Sequence, residues 1–192
     1  NMIDGLNGLC ASLCLVCFTA IIYMINADTV PSLFPLILPV GAIMGFLMYN
    51  LGVLGNQRTV FLGDNGSNAL GFMCAWILVY FSSVENSNFA PVTALWFVAI
   101  PFFDAIGVMA SRAFKGIMPL RPGRDHLHHK LLDMGLSSNA IYVALIFASA
   151  LFAAIGNIFN HSFPDNQYIS FYAFLILWLC YYFLTKYISK NV

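Results

Sequence analysis

The chain alternates between six long apolar stretches and short polar connections. Each stretch is close to the roughly 20 residues with which an α-helix crosses a hydrocarbon core about 30 Å thick. A transmembrane β-barrel would instead need segments of about ten residues with alternating polarity. The pattern therefore predicts an all-α, polytopic membrane protein with about six transmembrane helices, over residues 9–25, 31–49, 66–84, 91–110, 139–159 and 168–187.

The composition excludes the other structural classes. Of the 192 residues, 60% are hydrophobic and only 8% are charged, whereas soluble domains have about 25% charged residues. So few charged side chains could not cover the surface of a soluble globular protein, and a disordered chain would lack the large apolar residues. Eight basic and eight acidic residues cancel, so we expect no nucleic-acid partner.

The basic residues indicate how the chain crosses the membrane. All eight Lys and Arg residues lie in residues 50–65, 111–138 and 186–192, and the three intervening connections contain none. Lys and Arg concentrate in cytoplasmic loops. Both chain ends and the long polar connections are therefore predicted to face the cytoplasm, and any active site would face the same side.

The first polar cluster is the segment Asn-Met-Ile-Asp-Gly-Leu-Asn-Gly at residues 1–8. Asp4 and Asn7 are three residues apart, so their oxygens would lie on the same side of a helical turn. One interpretation is a helix cap at the membrane edge. The other is a pair of oxygen ligands for a hard cation such as Mg²⁺.

The second cluster is Phe-Leu-Gly-Asp-Asn-Gly-Ser at residues 61–67, directly before the third apolar stretch. Asp64 could simply cap that helix. However, a helix start with glycines that allow close backbone approach is also a phosphate site. An acid at that position would repel phosphate unless a cation lay between them, which makes Asp64 a candidate ligand of a metal-bridged phosphate.

The third cluster spans residues 121–130 and contains three histidines. Residues 124–134 are predicted to form a short amphipathic helix that ends at Gly135. A zinc site is conceivable, but His-x-His-His on one helix does not place three imidazoles tetrahedrally without outside ligands. The strongly cationic surface favours phosphate or diphosphate, with these candidate contacts: Arg121, Arg124, His126, His128 and His129.

Asp104 lies inside the fourth apolar stretch. An acid at membrane depth is costly and indicates a functional residue. The alternative is a hydrogen bond to a polar group of a neighbouring helix. The sequence leaves both interpretations open.

The three clusters, with Asp-His-Leu-His-His at residues 125–129, resemble the ordered motifs of polyprenyl-phosphate N-acetylhexosamine-1-phosphate transferases. Residues 94–101 and 121–126 resemble the branch that uses undecaprenyl phosphate and UDP-N-acetylglucosamine. The resemblance covers nearly all of residues 1–192. It implies the carboxy-terminal part of a multi-pass enzyme of the bacterial inner membrane, with its active site facing the cytoplasm.

The resemblance implies transfer of N-acetylglucosamine 1-phosphate from UDP-N-acetylglucosamine to undecaprenyl phosphate, with release of UMP. This would be the first membrane step of lipid-linked O-antigen or common-antigen synthesis. The implied cofactor is Mg²⁺, with Mn²⁺ as a substitute, and another UDP-N-acetylhexosamine is the alternative substrate. By resemblance, the metal ligands are Asp64 and Asn7, the catalytic residues are Asp64, Asp4 and His129, and the substrate-binding residues are Asn7, Arg121, Arg124, His126 and His128.

Two departures from the family pattern affect these expectations. Many bacterial members have Asp where this chain has Asn7, and an amide can be a ligand but not a base. The family's adjacent Asp-Asp pair does not occur in this sequence. We therefore expect the chain to be a fragment that is inactive without the amino-terminal half of the same protein.

The chemistry leaves two routes open. The acceptor phosphate, whose second pKa is about 6, could attack the β-phosphorus directly, or the reaction could pass through an aspartyl-phosphate.

Two other functional classes are compatible with parts of the sequence. A transporter for a divalent cation or phosphate would use Asp104 and the histidines along a path, and a structural scaffold would leave the clustered Asp, His and Arg residues without a role.

Overall fold

The computed structural model describes residues 3–25, 33–55, 60–83, 89–121 and 123–191. Throughout these ranges the regular structure is α-helical, without β-strands, which confirms the all-α prediction. Asn1 of the first motif, Arg58, the connection 26–30 and most of 85–90 lie outside the described residues. The helices are α1 (Leu9–Met24), α2 (Phe34–Asn50), α3 (Gly63–Ser83), α4 (Pro91–Phe97), α5 (Ala99–Phe114), α6 (Leu127–Asp133), α7 (Ser138–Ser162) and α8 (Gln167–Asn191).

The helices occupy the predicted apolar stretches, although they differ in length and apolarity. Within the described ranges, α7 and α8 are each long and apolar enough to cross a membrane, and the bent pair α4–α5 would make a third crossing if the two helices form one broken span rather than a re-entrant loop. Helices α1 and α2 are shorter and apolar. Large apolar side chains are exposed along most helices, as expected for a protein whose solvent is lipid. The chain is therefore a polytopic membrane protein.

The fourth predicted stretch, 91–110, is not one straight helix. It breaks at Val98, and α4 and α5 meet at an angle of 85°. The cause is Pro101, in the first turn of α5. Proline has no N–H to donate, and its ring would clash with the carbonyl of Phe97 if the helix continued through this point. The break lets α5 continue as a separate helix to Phe114, beyond the predicted end.

Helix α1 is the centre of the bundle and packs against α2, α3, α4 and α7. Helices α4 and α7 approach closely at Gly156, where an added Cβ would lie 2.4 Å from Trp96 Cβ. The buried Trp96 indole donates to Ser170 Oγ of α8 at 3.0 Å. These contacts fix α4, and through it the start of α5, against the rest of the bundle.

Candidate active site

The first two motifs meet in one cavity. Asp4 and Asn7 lie in the turn before α1, and Asp64 lies in the first turn of α3. All three line a cavity of about 290 Å³, which we call the carboxylate cavity. The helix-cap interpretation fails for Asp4 and Asn7, because the residue that caps α1 is Gly8, with φ of 73° and no side-chain cap hydrogen bond.

The surroundings of Asp4 disfavour its ionised form. Burial raises the pKa of Asp4 above its ordinary value, and the nearby Asp64 carboxylate raises it further. Like charges that share a cavity disfavour each other's ionised form. A cation between the two groups would relieve this repulsion and favour the ionised form of Asp4.

Asn50, at the end of α2, is a site residue that the sequence analysis missed. Its Nδ2 donates to the Val60 carbonyl at 2.7 Å, which fixes the orientation of the amide. Its Oδ1 is buried, has no hydrogen-bond partner among the residues that the structure describes, and belongs to a side chain that lines the carboxylate cavity. A buried amide oxygen without a partner is costly. The only sequence signal was a polar residue at the end of an apolar stretch.

The residues of the carboxylate cavity fit a hard cation. Among the described residues, no three His, Cys, Asp or Glu side chains are close enough to hold a metal ion. However, Mg²⁺ prefers carboxylate and amide oxygens and retains water ligands. Asp4 and Asp64 supply two carboxylates, while Asn7 and Asn50 supply amide oxygens. The unpartnered Oδ1 of Asn50 is the observation that favours a ligand in this cavity.

Two further cavities lie beside the carboxylate cavity. A second cavity of about 660 Å³ shares Gly5, Leu6, Asn7 and Asn50 with it and extends to the start of α7. A third, mostly apolar cavity of about 290 Å³ lies between α1, α3 and α5. Ile3 and Ser67 line this apolar cavity, so it begins one residue before Asp4 and within one helical turn of Asp64.

Asp104 anchors the third motif to the membrane bundle. The buried carboxylate accepts hydrogen bonds from His126 Nδ1 at 2.7 Å, the Leu127 backbone N–H at 2.8 Å and the Tyr181 hydroxyl at 3.1 Å. It therefore ties the start of α6 to α5 and α8. Of the two interpretations of Asp104, hydrogen bonding to neighbouring polar groups is the one observed. His126 is buried in this contact.

His128 joins α6 to the first motif. It is 2% exposed, and a Cβ added at Gly5 would lie 2.1 Å from His128 Nε2. Glycine is required at position 5 because the imidazole occupies the space of a side chain. Burial lowers the pKa of His128 to about 4, and the neighbouring His129 adds to this effect. His128 is therefore neutral near pH 7, and it does not contribute to the cationic surface that the sequence predicted.

His129 lies in α6, and Arg121 and Arg124 lie in the exposed segment before it. Burial lowers the pKa of His129, and the positive charge of Arg124 lowers it further. Arg124 forms an exposed ion pair with Asp133 at 3.3 Å, which contributes little stability and leaves the guanidinium able to exchange partners. Arg121 is also exposed. Neither arginine lines the carboxylate cavity.

Arg112, the second residue that the sequence analysis missed, holds the loop before α6. Its Nε donates to Asp125 Oδ2 at 2.8 Å, and its Nη1 donates to the carbonyls of Pro119 and Arg121. The hydrogen bond from Arg112 holds the pKa of Asp125 below its ordinary value. A Cβ at Gly123 would lie 2.7 Å from Arg112 Nη2. Only the tertiary structure shows that this arginine is buried.

The end of α6 follows the predicted pattern. The helix covers Leu127–Asp133, shorter than the predicted 124–134, and Gly135 adopts φ of 86° just after it. Ser137 then caps α7, and its side chain accepts from the Ala140 N–H at 3.3 Å. The turn between α6 and α7 is thus specified locally by glycine and serine.

Comparisons with known proteins agree with the motifs. Residues 1–82 match the family model of Glycosyl transferase family 4. The chain is 37% identical over 195 aligned residues to the undecaprenyl-phosphate alpha-N-acetylglucosaminyl 1-phosphate transferase of Escherichia coli K12, covering 100% of this chain and 51% of that protein. The proteins of the same name from Salmonella typhimurium and Pasteurella multocida are 34% and 40% identical, over 100% and 76% of this chain and 51% and 41% of their own lengths.

The chain spans about half the length of these relatives and matches their carboxy-terminal portion. No solved structure matches the chain. The resemblance predicted from the motifs is confirmed: residues 1–82 match glycosyl transferase family 4, and along its whole length the chain is similar to bacterial undecaprenyl-phosphate alpha-N-acetylglucosaminyl 1-phosphate transferases.

Proposed function

We propose that this chain is the carboxy-terminal part of an enzyme that transfers N-acetylglucosamine 1-phosphate from UDP-N-acetylglucosamine to undecaprenyl phosphate and releases UMP. Another UDP-N-acetylhexosamine is the alternative substrate. The observation that carries the proposal is the convergence of Asp4, Asn7, Asn50 and Asp64, from three separate segments, on one cavity. The relatives' names support the acceptor lipid and the sugar.

In this proposal an oxygen of the lipid phosphate attacks the β-phosphorus of the nucleotide sugar. The bond from that phosphorus to the bridging oxygen breaks, and UMP leaves with the bond's electron pair. A phosphate monoester has a second pKa of about 6, so the nucleophile is already largely ionised at pH 7. No general base is required, which agrees with an amide at Asn7.

The main barrier is repulsion between an anionic nucleophile and an anionic diphosphate. When bound, Mg²⁺, or Mn²⁺ in its place, would offset that charge. Asp4, Asn7, Asn50 and Asp64 are the residues that would hold it. Arg124 and Arg121 lie on the exposed side of the third motif, where they can contact the diphosphate, and His129 is placed beside Arg124.

The apolar cavity supports a lipid acceptor. It starts next to Asp4 and Asp64 and continues between membrane helices, so an acceptor phosphate at the carboxylates would have its hydrocarbon chain along Leu13 and Leu78. The basic residues of the site-bearing loops support an orientation toward the cytoplasm of a bacterial inner membrane. A cation or phosphate transporter would need polar residues along a path through the membrane. This class is disfavoured, because Asp104 is the only buried acid in the described helices.

The test is UMP release by the assembled enzyme, meaning this chain co-expressed with the portion of the Escherichia coli relative that it does not cover. Asp64→Asn should reduce turnover about 10²-fold or more, because it weakens the site that offsets charge. Asp165→Asn, the same change in an exposed loop between α7 and α8, is the matched control. Wild-type turnover in the Asp64 variant would remove this residue from the site. A burst of UMP without acceptor would favour an aspartyl-phosphate instead.

A further inference from the structure

A separate pocket lies between α5, α6 and α8. Its volume is about 190 Å³, and its lining shares no residue with the carboxylate cavity. Three lysines line it, each from a different element: Lys115 at the end of α5, Lys130 in α6 and Lys186 in α8. The hydroxyls of Ser111 and Ser189 also line the pocket. We call it the lysine pocket.

The acid in the lysine pocket does not neutralise these lysines. The lining contains one carboxylate, Asp104, and its oxygens already accept the three hydrogen bonds that hold the start of α6. The ion pairs formed within the described ranges use Arg112, Arg124 and His126, and none of them uses a lysine. The lysine pocket therefore holds an excess of positive charge.

The surroundings of Lys130 disfavour its charged form. Burial lowers its pKa, and the nearby Lys115 adds to the effect, although Asp104 and Asp125 act in the opposite direction. Lysines at the membrane edge usually extend into water, which accounts for their presence on this side. It does not account for three lysines from three separate elements that line one pocket together with two serines. An anion in the pocket would offset the charge.

The chemistry of the pocket selects a phosphate group. Several ammonium and hydroxyl donors around a small volume suit a compact oxyanion. The apolar side chains beside the pocket favour a lipid as the molecule that carries this phosphate. On α8, Leu179 is exposed one turn before Tyr182, and Phe183 is exposed one turn before Lys186. On α5, the exposed Phe114 directly precedes Lys115. A ligand with its head in the pocket would have apolar helix surface beside it for its chains.

We propose that the lysine pocket binds the phosphate of an anionic membrane phospholipid, whose acyl chains lie against the exposed apolar side chains of α5 and α8. The site is distinct from the transferase site and does not depend on the proposed function. Because α6 contributes Lys130 and also carries His128 and His129, the bound lipid would stabilise the third motif against α5 and α8.

The test measures lipid binding to the full chain, purified in neutral detergent and depleted of lipid. Phosphatidylglycerol, phosphatidylcholine and inorganic phosphate are added separately, and binding is followed by native mass spectrometry and by the thermal midpoint. Phosphatidylglycerol should bind and raise the thermal midpoint more than phosphatidylcholine does. Inorganic phosphate at the same concentration should have little effect, because it lacks chains for the apolar surface.

Two variants locate the site. Each lysine near an anionic lipid contributes roughly fivefold to binding, so the Lys115→Gln, Lys130→Gln and Lys186→Gln triple variant should bind phosphatidylglycerol about 100-fold more weakly. Lys186→Gln alone changes an exposed side chain and should weaken binding roughly fivefold without affecting folding. Arg121→Gln removes one exposed charge outside the pocket and is the matched control.

Three outcomes would overturn the proposal. One is equal binding of phosphatidylglycerol by the wild type and the Lys186→Gln variant. Another is the absence of any phosphatidylglycerol effect on the wild type. The third is an equal effect of inorganic phosphate, abolished by Lys186→Gln, which would identify a site for free phosphate rather than for a lipid.

Discussion

Asp104 is the residue whose removal should uncouple the third motif from the membrane bundle. Asp104→Ala leaves the His126 Nδ1–H, the Leu127 N–H and the Tyr181 hydroxyl without their acceptor. Because the carboxylate is 4% exposed, water cannot readily replace it. Each buried donor that is left unsatisfied costs about 1–3 kcal/mol, so the three together should cost roughly 3 kcal/mol or more. Tyr181→Phe removes only one of these bonds and should cost about 1.5 kcal/mol.

The Asp104→Asn variant tests whether Asp104 orients His126, separately from its role in anchoring the third motif. The amide keeps the shape and one acceptor oxygen, but its NH₂ faces His126 Nδ1 and would favour the other imidazole tautomer. Stability should therefore fall less than in Asp104→Ala, while the pH profile of kcat/KM should change. The assays are hydrogen exchange of residues 126–133 and UMP release by the assembled enzyme. Unchanged exchange in the Asp104→Ala variant would refute the anchoring role, and an unchanged pH profile in Asp104→Asn would refute the orienting role.

The remaining predictions concern packing, pH and substrate use. Gly156→Ala should lower the stability of the protein by about 1–3 kcal/mol because of the close Trp96 contact. Gly45→Ala should not, because nothing lies within 4 Å of the added Cβ. Equal thermal midpoints for these two variants would contradict the prediction. The pKa of His128 in the folded protein is about 4, below the ordinary 6.5. The protein should therefore lose stability as the pH falls from 6.5 toward 4, and His128→Gln should reduce that loss. The same dependence of stability on pH in both proteins would be inconsistent with a buried neutral imidazole. His129→Ala should lower kcat/KM for the UDP-sugar more than it alters acceptor use, and equal effects on both substrates would indicate a folding role.

Much of the fold could be predicted because the signals are local. Apolar stretches longer than about 17 residues specify membrane helices, and the Gly135–Ser137 turn follows from capping preferences alone. The break at Val98 was not predicted, although Pro101 was visible in the sequence. Proline inside an apolar stretch is compatible with a kinked span as well as with a full break, so Pro101 alone does not specify the 85° angle between α4 and α5.

The site was partly predictable for the same reason. Asp4, Asn7 and Asp64 stand out as polar residues beside glycines at membrane edges, and the structure brings them together; their roles stay predictions. Asn50 and Arg112 did not stand out, because a single polar residue at the end of an apolar stretch is also a common helix terminus. Their significance depends on burial and on partners distant in sequence, which no local pattern encodes.

The most direct test of the central claim is UMP release from UDP-N-acetylglucosamine with undecaprenyl phosphate and Mg²⁺, measured for the chain alone and for the assembled enzyme. We expect release only by the assembled enzyme, abolished by a chelator and reduced about 10²-fold or more by Asp64→Asn. Release by the chain alone would show that these residues form a complete site, contrary to the expectation from the missing Asp-Asp pair. No release by a correctly folded assembled enzyme, with any UDP-N-acetylhexosamine, would contradict the proposed function.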